Sequence, residues 1–228
     1  MLIDLPPVKR IRWNQAYRIV PSRFPPVGVY DRIADPADLD AVFAIEAMTN
    51  PRLREEAGAL KMVPKERRIS GPGSTPVMAA FTHLNPEGSR FSDGSWGVFY
   101  AAHSVATAVE ETVYHREQFL AATAEPACDI EMRCYRTSIV GKLHDVRDGW
   151  PEAQDPHSYI ASVALAQQLR KAGSNGIVYN SARHAGECVA VFYPDLVAPC
   201  VQSEHMIYRW NGQRIAMVLK VSELSRPR

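Results

Sequence analysis

Four side chains capable of chemistry lie close together in the strip from Gly88 to His115. Arg90 lies in a glycine-rich turn, Tyr100 ends a short β-like run, and Glu110 and Glu111 occupy the helix that follows. Glycines let backbone N–H groups approach an anion, and an arginine can bind that anion bidentately. A nearby carboxylate stabilises a developing cation. The strip therefore predicts a site for an anionic ligand whose reaction passes through positive charge.

Each of these residues also has an ordinary structural interpretation. Arg90 fits an exposed hairpin turn, Tyr100 fits the core, and the two glutamates fit a solvent-exposed helix face beside Arg116. The glycines match neither GxGxxG nor GxxxxGK[ST], so they indicate neither a Rossmann nor a P-loop phosphate site. Taken one at a time, these residues do not decide between the two interpretations.

Two further motifs carry polar side chains at the edges of apolar segments. Tyr17-Arg18 lies in a short strand bounded by prolines, where an edge position is the ordinary interpretation of Arg18. Ser181-Ala-Arg183 follows the apolar run GIVY, and ligand-contacting loops commonly follow strands in this way. Ser181 is not in a GxSxG elbow, and His184 is too close in sequence to define a triad with it. A polar loop with no role is the alternative.

Metal chemistry has no support from the spacing of possible ligands. The four histidines considered do not form HExxH or a comparable set, and the four cysteines show no CxxC spacing. These residues are His115, His144, His157 and His184, and Cys128, Cys134, Cys188 and Cys200. We therefore expect no metal site and reduced thiols, as in a cytoplasmic protein.

Composition indicates an ordinary globular protein. The chain has 228 residues, of which 46% are apolar and 22% charged, enough for one large domain with a real core. The net charge of +1 provides no field that would attract a nucleic-acid backbone. The N-terminus lacks the apolar core of a signal peptide, and no apolar run is long enough to cross a bilayer. The sequence predicts a soluble cytoplasmic protein that does not bind nucleic acid directly.

The predicted elements that must hold these side chains are mixed in type and do not alternate regularly. Such an order predicts an α+β fold rather than a doubly wound sheet. The expected strands are 16–20, 129–137, 139–143, 176–179 and 188–193, with a terminal ribbon at 206–222. The expected helices are 36–49, 104–122 and 158–172. Residues 51–70 are a charge-rich helix or loop, and 77–82 are an apolar run that periodicity does not assign. A turn is expected at 71–76 and a loop at 145–158.

The order of these motifs along residues 15–205 resembles the RES-domain family, the toxin components of bacterial toxin–antitoxin pairs, named for an arginine, a glutamate and a serine. The motifs are Tyr17-Arg18, GSRF at 88–91, FYAA at 99–102, AVEETVYH at 108–115 and GIVYNSAR at 176–183. By this resemblance the family residues correspond to Arg18, Arg90, Tyr100, Glu111 and Ser181, with Ser162 as a second possibility for the serine.

The resemblance implies an ADP-ribosyltransferase-like mixed β-sheet with flanking helices, NAD as the substrate, and a cognate antitoxin that covers the active site. It implies that Glu111 stabilises the cationic ribose, with Arg18 and Ser181 beside it in the catalytic set. Arg18 and Arg90 would hold the pyrophosphate or ribose, Tyr100 would stack on nicotinamide, and Ser181 would bond the carboxamide or ribose.

Two features depart from the compact members of that family, and the second affects the choice of substrate more than the core chemistry. GSRF replaces a GGRW-like turn, and residues 27–80 resemble a helical insertion within a single domain. Transfer of ADP-ribose to a cellular protein is the first hypothesis for the reaction. Breakdown of NAD by phosphate or water is the alternative, and a non-catalytic module that only binds a partner is a second one.

Overall fold

The computed structural model describes residues 5–21, 28–33, 35–49 and 58–222. Within these ranges the chain forms seven strands and four α-helices. The strands are β1 (Val8–Pro21), β2 (Phe99–Ala102), β3 (Cys128–Asp145), β4 (Gly176–Asn180), β5 (Glu187–Val191), β6 (Val201–Trp210) and β7 (Ile215–Val221). The helices are α1 (Leu39–Thr49), α2 (Thr75–Thr82), α3 (Val105–Ala122) and α4 (Ile160–Lys171).

All seven strands belong to one mixed sheet, in the order β1-β2-β5-β4-β3-β6-β7. The β3–β4 pair is parallel, and the other pairs between described strands are antiparallel. β1 also pairs with β3 along its length, and it meets β2 at one residue pair, Tyr17 with Ala102. The sheet therefore curls into a closed circuit of five strands, from which β6 and β7 extend. The predicted α+β class with a mixed sheet and flanking helices is confirmed.

The two faces of the sheet are covered by different helices. Successive side chains of a strand point to opposite faces, so Phe99 of β2 belongs to a core layer with α1 and α2, whereas Ala102 belongs to a layer with α3 and α4. Met78 of α2 and Leu169 of α4 are fully buried in these two layers. Each side chain of the candidate site can therefore be assigned to one face.

The helices begin and end near the predicted residues. Ser104 caps α3, where its Oγ accepts a hydrogen bond from the N–H of Thr107 at 3.1 Å. Gly173 lies just past α4 with a φ of 76°, in the left-handed region that glycine adopts most easily. The unassigned run at 77–82 is part of helix α2, which begins at Thr75 inside the predicted turn.

The strand predictions needed larger corrections. The segments predicted as two strands at 129–137 and 139–143 form one strand, β3, because β1 pairs with it on both sides of Ser138. The predicted strand at 16–20 is likewise the second half of a 14-residue strand. Residues 51–57 of the predicted charge-rich segment, and part of the predicted insertion, lie outside the described residues. No described helix has both the length and the apolar character needed to cross a membrane.

Candidate active site

The carboxylate of Glu111, on helix α3, contacts the hydroxyl of Ser181, which directly follows β4. Ser181 Oγ donates a hydrogen bond to Glu111 Oε1 at 2.5 Å. Ser181 Oγ also accepts the main-chain N–H groups of Arg183 and His184, each at 3.1 Å. Because these two donors fill its lone pairs, the hydroxyl proton is directed at Glu111. Glu111 is half-buried whereas Glu110 is exposed, so the helix presents Glu111 to the site.

The loop that carries Ser181 is fixed against the first turn of α3. His184 Nδ1 lies 3.0 Å from Thr107 Oγ1, which lies 2.8 Å from Ser104 Oγ. Gly186 allows this close approach, because a Cβ added there would lie 2.2 Å from Thr107 Oγ1. The loop and the helix are thus held together one helical turn before Glu111, which aligns serine with glutamate.

Arg90 is a buried residue that is bound on two sides. It is 6% exposed, its guanidinium lies 4.7 Å from the centre of the Tyr159 ring, and its Nη1 donates to the carbonyl of Asp155 at 2.7 Å. The interpretation of Arg90 as an exposed hairpin residue is therefore wrong. Its charge faces the loop that precedes α4.

Arg183 approaches the same loop from the other side. Its guanidinium stacks at 3.3 Å from the centre of the Tyr114 ring, and its Nη2 donates to the carbonyl of Pro156. The charges of these arginines also affect His115, which follows Tyr114 in α3. Its pKa is lowered first by desolvation and then by Arg183 and Arg90, while Glu111 acts in the opposite direction. The charges of Arg90, Arg183 and Glu111 thus all act on His115.

Tyr100 connects the glycine-rich turn to the sheet. Its hydroxyl accepts the N–H of Phe91 at 2.9 Å and lies 2.8 Å from Ser89 Oγ, while its carbonyl accepts Arg18 Nη1 at 3.1 Å. Burial raises the pKa of Tyr100 to about 12, so its hydroxyl is protonated at neutral pH. The tyrosine thereby fixes the backbone on either side of Arg90.

Arg18 lies apart from the Glu111–Ser181 pair. β1 is flanked by β2 and β3, so Arg18 is not at a sheet edge. Its guanidinium lies 4.9 Å from the centre of the Phe99 ring, on the face covered by α1 and α2. Burial lowers the pKa of Arg18. The structure therefore joins Arg18 to Tyr100, but it brings Glu111 and Ser181 together on the opposite face.

A cavity of about 620 Å³ opens where β1 and β2 separate. Arg18, Tyr100 and Trp96 line it, together with residues of α2. Arg18 Nε and Trp96 Nε1 are buried donors for which the described residues provide no acceptor. The described lining does not include Glu111 or Ser181. The cavity therefore offers donors to an acceptor-bearing group on the face of the sheet opposite the Glu111–Ser181 pair.

Comparison with known proteins identifies the family. Residues 65–211 match the RES domain. The chain belongs to the RES-domain family. The RES match begins after β1, so Arg18 lies outside it, whereas Arg90, Tyr100, Glu111 and Ser181 lie inside.

Two individual proteins are similar to this RES protein over most of its length. The uncharacterized protein y4oC of Sinorhizobium fredii (strain NBRC 101917 / NGR234) is 32% identical over 213 residues, which cover 90% of this chain and 86% of that protein. The crystal structure of the M. tuberculosis MbcT–MbcA toxin–antitoxin complex aligns with 93% of this chain and 87% of that chain. The sequence identity is 12% and the TM-score 0.41.

The two candidate serines of this RES domain differ in their surroundings. Ser162 is fully buried in α4, and its Oγ donates to the carbonyl of Tyr159 at 3.1 Å, whereas Ser181 donates to Glu111. The position of Tyr159 against Arg90 had no signal in the sequence, because it depends on a contact between distant segments. Among the described residues, no group of three or more His, Cys, Asp or Glu side chains is arranged to hold a metal ion.

Proposed function

We propose that this RES protein is the toxin of a bacterial toxin–antitoxin pair and cleaves NAD at the bond between nicotinamide and ribose. The observation that supports this most directly is the hydrogen bond between Ser181 and Glu111 at 2.5 Å. It orients a half-buried carboxylate beside two arginines, Arg90 and Arg183. Such a site combines a group that stabilises positive charge with groups that bind an anion.

The reaction follows from the chemistry of the glycosidic bond. The bond between the nicotinamide nitrogen and ribose C1′ breaks, and its electron pair leaves with nicotinamide, which becomes neutral. Positive charge develops on the ribose as an oxocarbenium-like centre, which the Glu111 carboxylate stabilises. A nucleophile then forms a bond to C1′ and releases its proton to the solvent. Ser181 holds Glu111 in position throughout this step.

For the acceptor we propose a side chain of a cellular protein, with phosphate or water as the alternative. Pro76, Ala79 and Ala80, from the end of the predicted insertion at 27–80, line the cavity that also contains Arg18. This supports a role for the segment in selecting what enters that cavity. The family also implies a cognate antitoxin as the partner that blocks the site.

The test compares the purified wild-type protein with Glu111→Gln, which keeps the size of the side chain and removes its charge. We expect NAD consumption to fall by about 10²–10³-fold, as for the loss of one electrostatic stabiliser of a transition state. Glu110→Gln is the matched control, because Glu110 is the exposed neighbour on the same helix. Unchanged NAD turnover in Glu111→Gln would overturn the assignment of the carboxylate.

The acceptor is identified in a separate experiment with NAD labelled in its adenylate portion. Transfer predicts a labelled protein band when wild-type protein and NAD are added to a bacterial lysate. Free ADP-ribose, or ADP-ribose carrying an added phosphate, indicates breakdown instead. A wild-type protein that consumes no NAD in either assay and still binds a partner tightly would favour the non-catalytic alternative.

A further inference from the structure

Arg90 and Arg183 donate to consecutive main-chain carbonyls. The acceptors are the carbonyls of Asp155 and Pro156, whose Cα atoms are about 3.8 Å apart across a trans peptide. The two arginines are 93 positions apart in the chain. Arg90 reaches these carbonyls from the glycine-rich turn, and Arg183 reaches them from the β4–β5 loop. Their guanidinium groups therefore converge on two points separated by only a few ångströms.

Both guanidinium groups are held from behind by aromatic rings. Arg90 lies over Tyr159 and Arg183 lies over Tyr114, which leaves the N–H edges of each group for acceptors. Within the described part of the chain, neither arginine forms an ion pair with a carboxylate. Two positive charges thus meet neutral carbonyl oxygens, where anionic oxygens would form shorter and stronger hydrogen bonds.

We propose that Arg183 completes the diphosphate site for which the family resemblance already implies Arg90, and that the diphosphate oxygens replace the carbonyls of Asp155 and Pro156 as acceptors. This inference rests on the proposed function, since it concerns the same site. It assigns a binding role to Arg183, and it separates that role from Arg18. Arg18 lies on the opposite face of the sheet and donates to the carbonyl of Tyr100.

The exchange of acceptors also predicts a change in the loop before α4. Asp155 Oδ1 accepts the N–H groups of His157 and Ser158 at 2.7 and 3.3 Å, which shapes the loop around its own side chain. When the arginines leave its carbonyls, the loop loses two tertiary hydrogen bonds but keeps these local ones. We expect Asp155, His157 and Ser158 to exchange their amide hydrogens at a different rate once a diphosphate is bound.

The experiment measures binding of NAD, ADP and nicotinamide by calorimetry to the wild type and Arg183→Gln. Loss of one charge-assisted interaction of about 1.5–3 kcal/mol corresponds to about 10–100-fold weaker binding of ADP and NAD. Binding of nicotinamide, which has no phosphate, stays unchanged. Arg183→Lys keeps the charge without the guanidinium fork and loses less affinity. Arg116→Gln removes a nearby charge whose guanidinium lies over Phe119, and it retains wild-type binding of ADP.

The outcomes separate this inference from the function on which it rests. Wild-type protein that binds neither NAD nor ADP overturns the proposed function and this inference together. Wild-type protein that binds both, beside a folded Arg183→Gln or Arg183→Lys with unchanged affinity for ADP, overturns the role of Arg183 alone. Equal weakening of ADP and nicotinamide binding by Arg183→Gln also overturns it, because that pattern indicates a disturbed loop rather than a lost phosphate contact.

Discussion

The hydroxyl of Ser181 has a single direction because its lone pairs and its proton all have partners. Two backbone N–H groups donate to it, and it donates to Glu111. A hydroxyl in such a network orients the carboxylate while leaving it charged. Within the described ranges, the hydroxyl of Ser162 has only the carbonyl of Tyr159 as its partner and is buried in the packing of α4. The geometry therefore favours Ser181 as the functional serine.

Replacing each serine by alanine tests this difference. We expect Ser181→Ala to lower kcat for NAD cleavage by about 10–100-fold, because Glu111 loses a hydrogen bond of about 1.5–3 kcal/mol that orients it. Ser162→Ala, which removes a bond between a side chain and its own helix, keeps activity near that of the wild type. Initial rates of NAD loss and thermal melting of both variants provide the measurement. Retained activity in Ser181→Ala together with its loss in Ser162→Ala would reverse the assignment.

At the scale of elements, the site depends on contact between the β4–β5 loop and the first turn of α3. The cap at Ser104 could be predicted from sequence, because a serine before a run of helical spacing is a local signal. The contact of Gly186 with Thr107 could not, since nothing in either segment specifies the other. The pairing of Ser181 with Glu111 depends on this contact between segments about 70 residues apart.

Gly186→Ala tests how closely the loop must approach the helix. The added methyl group meets Thr107 Oγ1 and pushes the loop away from α3, which is expected to cost about 1–3 kcal/mol in the free energy of unfolding. The separation of Ser181 from Glu111 should lower NAD turnover by at least about tenfold at a temperature where the variant is folded. Chemical unfolding and NAD turnover measure the two effects. Ala185→Ser, in the exposed part of the same loop, is the control, and full turnover in Gly186→Ala would show that the loop tolerates displacement.

At the scale of the whole molecule, the sequence predicted the fold class and the order of motifs but not the two faces of the sheet. Because successive side chains of a strand point to opposite faces, the sequence shows that Arg18 and Tyr17 lie on opposite sides of β1. It cannot show which helices cover each side. The prediction divides the long β3 into two strands, at 129–137 and 139–143. Pairing with β1, more than 100 residues earlier, is what continues the strand.

The closed circuit of strands is joined at one end by a network of charges. Asp145, at the end of β3, is 3% exposed and binds Arg147 at 2.8 Å and Lys9 of β1 at 2.8 Å. Arg147 also binds Glu187 of β5. Hydrogen bonding to Arg147 is the main cause that holds the pKa of Asp145 well below its ordinary value, with burial acting in the opposite direction and Lys9 adding to the effect. The network connects residues that are far apart in the chain.

Asp145→Asn should therefore destabilise the fold in a way that depends on pH. Near neutral pH we expect the variant to lose about 1–3 kcal/mol in the free energy of unfolding, because a charged acceptor becomes neutral. The folded-state pKa is depressed, so this stabilisation is fully present above the unfolded-state pKa of about 3.9 and is lost as the pH falls toward the folded-state value. Urea unfolding from pH 7 to pH 2.5 should show the wild type and Asp145→Asn converging only below about pH 4. Asp148→Asn, at an exposed neighbouring position, should follow the wild type throughout. A difference between wild type and Asp145→Asn that stays constant down to pH 2.5 would mean that the carboxylate charge does not stabilise the strand circuit.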